Sequence, residues 1–402
     1  MTMRWRTALT AGGVCALLLM TACGAPSGRP GAEVPAGDVP DRPSEPVTLN
    51  VLDIAGNLQL TQGMIDDFVA QNPDVVSRVT YEKAAAPEMA GKIKAQQDAG
   101  RINIDLVLTG TDGLSAGAEQ GLFTPLLPQF ESRLTGMKDY LEPAAAMQEL
   151  AGDQGVVVTY YPSGPLLEYA PDRVPDPPNT ADELLAYAAA HPGKVGYARP
   201  SNSGPGRTFL MGLPYILGDS DPKDPINGWS KTWAYLAELD KHIESYPSGT
   251  ADTMKNLANG TYDIVVSTTG WDINPRALGT VPADYKVTAL DGFTWVTDAH
   301  YAAIPKGVSA DKQSAVLALL AFMLTPQQQA KAYDTGYFYP GPAIKGVTLD
   351  MAPQQSRDVI AQFGRPEYEA LIRDHPTATP LATKDMVAAF DRWDREIGGG
   401  GQ

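Results

Sequence analysis

An α/β fold of two lobes, each a mostly parallel sheet flanked by helices, follows from three features of this 402-residue chain. Strand-like and helix-like runs alternate along most of it. Beyond an apolar N-terminus and a Pro/Gly-rich stretch, roughly 355 residues remain, more than one hydrophobic core ordinarily organises. The third feature is an internal echo. RINIDLVLTGTDG (101–113) and GTYDIVVSTTGWD (260–272) both run from a polar turn through Asp and an apolar strand to Thr-Gly and Asp. Each sets polar residues at the carboxyl end of a parallel strand, where open α/β sheets bind ligands. Two such ends facing each other would line a cleft between lobes.

Taken in order, the chain begins with Arg4 and Arg6 before a mostly apolar run from Ala8 to Met20. That run is too short for a membrane span and suits an export signal over residues 1–22. Met20-Thr21-Ala22-Cys23-Gly24 resembles a bacterial lipobox, in which the cysteine is lipidated after cleavage just before it. The alternative is a plain signal with Cys23 incidental. Cys15 falls in the part removed, so only Cys23 would survive and no structural disulfide is expected. Residues 23–46 are rich in Pro, Gly, Ala and charge and read as a flexible tether.

VTLNVLDIA (47–55) predicts the first strand, and Leu60, Met64, Ile65 and Phe68 recur at helical spacing after it. SRVTYEK (77–83) and IDLVL (104–108) are further strands, separated by the helix EMAGKIKAQQDAG (88–100). GVVVTYY (155–161) is extended. In NTADELLAYAAAHPGK (179–194), Thr180 and Glu183 have capping-box spacing. VGYAR (195–199) is a strand, and TFLMGLPYIL is a helix that Pro214 bends or ends. Helices around Trp229–Leu239 and Asp252–Asn259 precede the strands YDIVV (262–266), YKVTALD (285–291) and YAAIP (301–305). Val316, Leu319, Leu320, Met323 and Leu324 mark a last amphipathic helix, and the GGGGQ tail predicts no structure.

Formal net charge is −16, which argues against nucleic acid and anionic lipid surfaces as partners. No later apolar run reaches the roughly 18 residues of a membrane span. The loop ARPSNSGPGRTFLMGL (198–213) fails as a phosphate loop, because Ser201 and Arg207 stand where glycine and lysine are required. Its geometry remains that of a strand-to-helix loop with free backbone N–H groups and the hydroxyls of Ser201, Ser203 and Thr208. With Asn202 and Arg207, these predict ligand contacts from the second lobe. GLSAG (113–117) matches the G-x-S-x-G elbow of serine hydrolases, but Thr109 to Asp112 separate it from the strand, so Ser115 belongs to a helix. A base for it would have to be His191, His242, His300 or His375. Scattered histidines and the lack of a second mature cysteine leave no zinc site, and neither metal nor cofactor is expected.

The segments NVLDIAGNL, INIDLVLTG, TYYPSGPLLEYAPDRVPDPPNTADELL, NLANGTYDIVVSTTG and HYAAIPKGVSADKQSAVLALLAFMLTPQQQAKA resemble those of family 1 extracellular solute-binding proteins of ABC importers, in the iron, thiamine and polyamine branch. The resemblance covers most of residues 47–395 and rests on order and spacing. It implies a two-lobed, type II periplasmic-binding-protein-like fold, with lobe I as 47–160 and 292–402 and lobe II as 161–291. It also implies a monomer, tethered outside the cell membrane, that traps a small solute and delivers it to a permease. Polyamine binders carry a tryptophan and an acidic residue before the final IP-containing strand. Trp295 and Asp298 are the corresponding candidates, although one residue is inserted between them relative to that pattern. The paired tyrosines of ferric-ion binders could correspond to Tyr337 and Tyr339 or to Tyr160 and Tyr161; packing explains them better.

The expected contacts are therefore Gly56 and Asn57 after the first strand, and Thr109, Thr111 and Asp112 after the third. Tyr161 and Ser163 stand at the hinge, and Thr269, Trp271 and Asp272 at the second copy of the echo. Acidic groups beside aromatics favour an amine, and Arg207 with the loop amides favours an anion. A zwitterion or heterocycle reconciles them better than a sugar. Two alternatives remain open, a lipid-anchored hydrolase using Ser115 and a sensor sharing the fold.

Overall fold

Residues 33–54 and 56–399 are described by the computed structural model of the protein, and they form ten strands in two sheets. The strands are β1 Val47–Asp53, β2 Val76–Lys83, β3 Leu106–Gly110, β4 Val156–Gly164, β5 Leu166–Tyr169, β6 Val195–Gly196, β7 Ile264–Ser267, β8 Lys286–Thr288, β9 Trp295–Ala303 and β10 Thr377–Ala378. The large sheet runs β10-β9-β3-β1-β2, with β4 on the other edge of β9. The small sheet runs β6-β7-β5-β8; only β6 and β7 are parallel, while β5 is antiparallel to both β7 and β8. Lobe II therefore lacks the mostly parallel sheet expected of it, because the chain enters it as an extended strand directly from β4 and not through a crossover helix. In the large sheet β1 pairs in parallel with β2 and β3, whereas β9 is antiparallel to both β3 and β4. Parallel pairing demands crossover helices, and Asn57–Gln71 and Ala86–Asp98 supply them.

The lobes are joined where β4 passes into β5 and where the chain returns into β9. All nine residues of β4 and all nine of β9 are buried, as expected of strands covered on both faces. Ser163 takes φ 72 at the crossing, and its carbonyl accepts the Thr269 N–H at 3.0 Å. One apolar core, from Leu49 through Val107, Val157 and Leu320, fills lobe I. A second, with Leu167, Phe209, Trp229 and Val266, fills lobe II.

Three further details differ from expectation. The signal segment, Cys23 and residues up to 32 lie outside the described residues, but 33–46 do not behave as a free tether. Val39 is buried in the lobe I core, Arg133 donates to the carbonyls of Pro40 and Asp41, and the Ser44 hydroxyl donates to Asp311 at 2.6 Å. These partners are remote in sequence, so local composition gives no sign of them. Second, residues 292–402 are not all in lobe I. The helix Thr383–Glu396 seats Met386, Ala389 and Trp393 in the lobe II core, and the Trp393 indole donates to the Tyr197 hydroxyl at 3.2 Å. Third, β9 begins six residues before the expected YAAIP strand. Its first half, Trp-Val-Thr-Asp-Ala-His, breaks an apolar pattern because Asp298 and His300 face the cleft.

Other expectations are met. The capping box forms, with the Glu183 N–H donating to Thr180 Oγ1 at 3.1 Å and the Thr180 N–H to Glu183 Oε2 at 3.3 Å. The helix Gly204–Ile216 runs through Pro214 and ends two residues later. Among the described residues no helix is long and apolar enough to cross a membrane.

Candidate functional site

Arg207 occupies the first turn of the Gly204–Ile216 helix, and the loop before that helix explains its position. Ser203 is the N-cap: its Oγ accepts the Gly206 N–H at 3.2 Å and meets the Thr250 hydroxyl at 2.7 Å. A Cβ on Gly206 would stand 2.3 Å from the Ala198 carbonyl oxygen, so only glycine lets the loop turn so tightly. The result directs the Arg207 side chain inward, where it is 3% exposed.

From lobe I, β3 ends in the helix Thr111–Glu119, whose first turn carries Asp112. Between the two lobes runs β9, with Asp298 at its middle. The Asp298 carboxylate accepts from Arg207, from Thr111 Oγ1 at 2.7 Å, from the Tyr161 hydroxyl at 2.6 Å and from the Ala299 N–H at 2.9 Å. Asp112 Oδ1 lies 3.4 Å from Arg207 Nη1. Arg207 thus ties lobe II to both lobe I and the hinge strand.

Charge is unevenly met in this cluster. Burial works against the Arg207 charge, yet Asp298 and Asp112 more than offset it and hold the guanidinium above its ordinary pKa. Burial raises the pKa of Asp112, with Arg207 opposing and Asp298 adding to the rise. Burial also pushes the Tyr161 phenol well above 10, helped by Asp298. His300, two residues from Asp298, is lowered by burial to about 4 and is neutral at neutral pH. Arg207 Nε has no hydrogen-bond partner.

An aromatic wall faces the charges. Phe338 packs at a tilt, its ring centre 4.5 Å from that of Tyr161 and 4.1 Å from that of Tyr337, and His300 meets its ring edge-on at 4.4 Å. Trp271 lies 5.6 Å from Tyr337. Phe338 can approach because Gly270 has no side chain; a Cβ there would come within 2.5 Å of Cδ1. Charges and wall enclose a cleft of about 300 Å³, floored by Gly204 and rimmed by Asn202, Thr250 and Ala86.

Of the expected contacts, Gly56, Asp112, Tyr161, Asn202, Ser203, Arg207, Trp271 and Asp298 line this cleft. Thr111 supports it through Asp298. The others are elsewhere. Asn57 bonds with Thr61 inside its helix, Thr109 donates to the next carbonyl, and Thr208 Oγ1 donates to Pro205 O. Ser163 and Thr269 hold the crossing, Thr269 through Tyr339 O at 2.8 Å. Trp295 packs on Phe293 and donates to Leu371 O at 3.1 Å. Asp272 is fully buried, held by Arg276, Arg365 and Tyr368. Ser201 lies beside the cleft in a neighbouring hollow with Ser115. Ser115 accepts from Thr383 at 3.4 Å within a helix, and no histidine lines that hollow.

His300, Tyr337, Phe338 and Thr250 also line the cleft and were not among the expected contacts. Among the described residues no group of three or more His, Cys, Asp or Glu side chains is placed to hold a metal. The arrangement suits counter-charge and aromatic contact with a bound molecule.

Residues 63–361 match the family model of a bacterial extracellular solute-binding protein. Protein YnjB of Escherichia coli (strain K12) is 24% identical over 317 residues, 72% of each chain. Among solved structures, a periplasmic thiamin binding protein superposes with TM-score 0.60 at 15% identity, covering 89% of this chain and 99% of that one. The spermidine/putrescine-binding PotD of Streptococcus pneumoniae gives 0.57 at 15%, covering 86% and 99%. AfuA of Actinobacillus pleuropneumoniae, with fructose-6-phosphate bound, gives 0.60 at 13%, covering 87% and 98%. At these identities the likeness is one of fold.

Proposed function

The chain belongs to the bacterial extracellular solute-binding proteins, and from that premise we propose that it captures a small cationic or zwitterionic solute between its lobes and hands it to the permease of an ABC importer. The charge inventory of the cleft carries this reading. Asp298 accepts from four donors, whereas Asp112 meets Arg207 only at 3.4 Å. Two carboxylates, buried Asp298 and the slightly exposed Asp112, face one guanidinium, which leaves a place for one more positive charge. A cationic nitrogen beside Asp112 would also face the Trp271–Tyr337–Phe338 wall, whose ring faces attract cations. A carboxylate on the same solute would meet Arg207 Nε and the amides at the start of the Gly204–Ile216 helix.

Capture and closure are one event on this reading. Asp112 and Gly56 belong to lobe I, and Asn202, Ser203 and Arg207 to lobe II. A solute contacting both sets binds the closed form more tightly and so shifts the population toward it. The permease would then recognise the closed pair of lobes. Anchoring through Cys23, outside the described residues, is part of the same proposal.

The test is a calorimetric and thermal-shift panel of putrescine, spermidine, thiamine, glycine betaine, neutral sugars and sugar phosphates on the wild type and Asp112→Asn. At 100 times its Kd a solute adds about 2.7 kcal/mol to stability, seen as a rise of a few degrees in Tm. The expected result is a rise with a cation or zwitterion, and affinity at least tenfold weaker in the variant. A response confined to sugars or sugar phosphates, unaffected by the variant, overturns it.

A further inference from the structure

Next to the cleft, under the C-terminal helix Thr383–Glu396, lies a second hollow of about 200 Å³. Its wall is apolar: Ala86 and Ala116 from lobe I, with Met386, Val387 and Phe390 from the helix above. Only Ser115, Ser201 and Asp112 bring polar atoms to it. Ala86 and Asp112 also line the cleft, so the two spaces share a wall at the carboxylate that the charge inventory leaves least satisfied.

The helix above it belongs to neither lobe alone. Met386, Ala389, Trp393 and Ile397 are seated in the lobe II core, and Arg199 pairs with Asp394. Its first turn touches lobe I, where the Thr383 hydroxyl donates to Ser115 at 3.4 Å. Val387 and Phe390, one turn further along, are only half-buried. They are large apolar side chains turned toward space that the protein itself does not fill.

We infer that this hollow is an apolar subsite of the cleft, which takes an alkyl or aryl arm of a solute whose cationic nitrogen is held at Asp112. The inference rests on the cation reading above and specifies it: the solute is an amphiphilic ammonium compound, not a compact polyvalent one. A dry apolar cavity of about 150 Å³ already accommodates a benzene ring, so about 200 Å³ suffices for a ring or a short chain. An arm there would touch Ala116 on lobe I and Phe390 on the helix docked to lobe II. Filling the subsite would therefore favour closure as well as affinity. GLSAG finds its place in the same wall: Ser115 lines the subsite from within a helix.

The probes are n-alkylammonium ions from ethyl to hexyl, titrated calorimetrically against the wild type and against Val387→Trp, which narrows the hollow from the helix above and replaces no residue of the charged cluster. Burying one methylene is worth about a fourfold change in Kd. The wild type is expected to tighten by about that factor per methylene. Val387→Trp should hold ethylammonium within about twofold of wild type and show no dependence on chain length. If that variant fails to fold by circular dichroism, Ala116→Leu narrows the same space from the other side. Equal chain-length slopes in wild type and a folded variant overturn the subsite. Ethylammonium binding with no chain-length dependence in the wild type overturns it too, leaving the cation reading intact. If no alkylammonium binds, the cation reading fails and takes the subsite with it.

Discussion

Two aspartates close the two copies of the internal echo, and they have opposite fates. Asp272, after β7, accepts from both Nε and Nη2 of Arg276, from both Nε and Nη2 of Arg365 and from the Tyr368 hydroxyl. Asp112, after β3, has Arg207 at 3.4 Å and the backbone of its own helix turn. Both follow a strand with a parallel neighbour; Asp272 is fully buried and the Asp112 side chain is 10% exposed. What separates them is what the rest of the chain brings. The segment after β9 sends Arg365 and Tyr368 to Asp272, and these seal it into a strut between lobe II and the C-terminal helices. Among the described residues Asp112 receives only Arg207 from elsewhere in the chain, at 3.4 Å. A carboxylate with its donors complete is architecture, and one left short of donors is available to a ligand.

The sharpest way to break that contrast is Asp272→Ala. Removing the carboxylate from a sealed ion cluster leaves two guanidiniums with only buried Glu168, whose pKa is raised by burial and by Asp272, to answer their charge, at a cost of up to roughly 3–5 kcal/mol. Urea denaturation should show that loss, while the folded fraction binds solute as before. A variant with unchanged midpoint and tenfold weaker binding would instead make Asp272 a site residue, and the two copies of the echo equivalent.

His300 gives the next largest effect, and it belongs to the cleft alone. Its folded pKa of about 4 lies below the ordinary 6.5, chiefly through burial, so the fold favours the neutral ring. That contribution is complete above pH 6.5 and is lost as pH falls through the window from 6.5 to 4. Its full size is about 3 kcal/mol. Asp112, with its pKa raised, works in the opposite direction over part of that range. The clean measurement is therefore a difference: stability of wild type minus His300→Gln should fall by about 3 kcal/mol between pH 7 and pH 4. A difference that stays flat would mean the ring is free to take up its proton.

How much of this contrast the sequence displayed depends on range. Local signals were legible: the strand and helix rhythm, the Thr180–Glu183 box and the strand-to-helix loop that carries Ser203 and Arg207, while the crossing near Tyr161 and Ser163 came from the family resemblance. The echo located both aspartates correctly and could not tell them apart, because Arg365 and Tyr368 lie 93 and 96 residues from Asp272. Phe338 was hidden in the same way. It comes from an irregular segment at φ 52, and what admits it is the missing side chain of Gly270. Asp298 and His300 obscured their own strand, since polar residues inside β9 interrupt the pattern by which strands are read.

Arg207→Leu sharpens the comparison from the cation's side. In a sealed cluster its removal would cost the same roughly 3–5 kcal/mol. Asp112 and Asp298, however, stand on a cleft that can open and admit water. The loss in stability should therefore be smaller than for Asp272→Ala, and much of the effect should appear as a shift toward open lobes. A larger radius of gyration by small-angle X-ray scattering, with a modest loss in Tm, is the expected pair of results. An unchanged radius with a stability loss as large as that of Asp272→Ala would place Arg207 in a strut as well.

The smallest effect on stability is expected where the two regions differ by a methyl group. At Gly204 a Cβ would stand 3.5 Å from the Tyr161 hydroxyl and 3.7 Å from Asp298 Oδ2, ordinary contact distances. Gly204→Ala should fold as well as wild type or up to about 1 kcal/mol better, since it restricts the unfolded chain at the first position of a helix. Its methyl nevertheless projects into the space beside the charged cluster, so solute affinity should fall several-fold. At Gly270 the same methyl would lie 2.5 Å from Phe338 Cδ1 and 2.8 Å from its Cα, and backbone must move. Gly270→Ala should accordingly lose stability along with binding. Measured side by side by calorimetry and thermal denaturation, the pair separates room kept for a solute from room kept for the protein's own packing. Equal losses of stability at both positions would show that the floor of the cleft is as tightly filled as its wall.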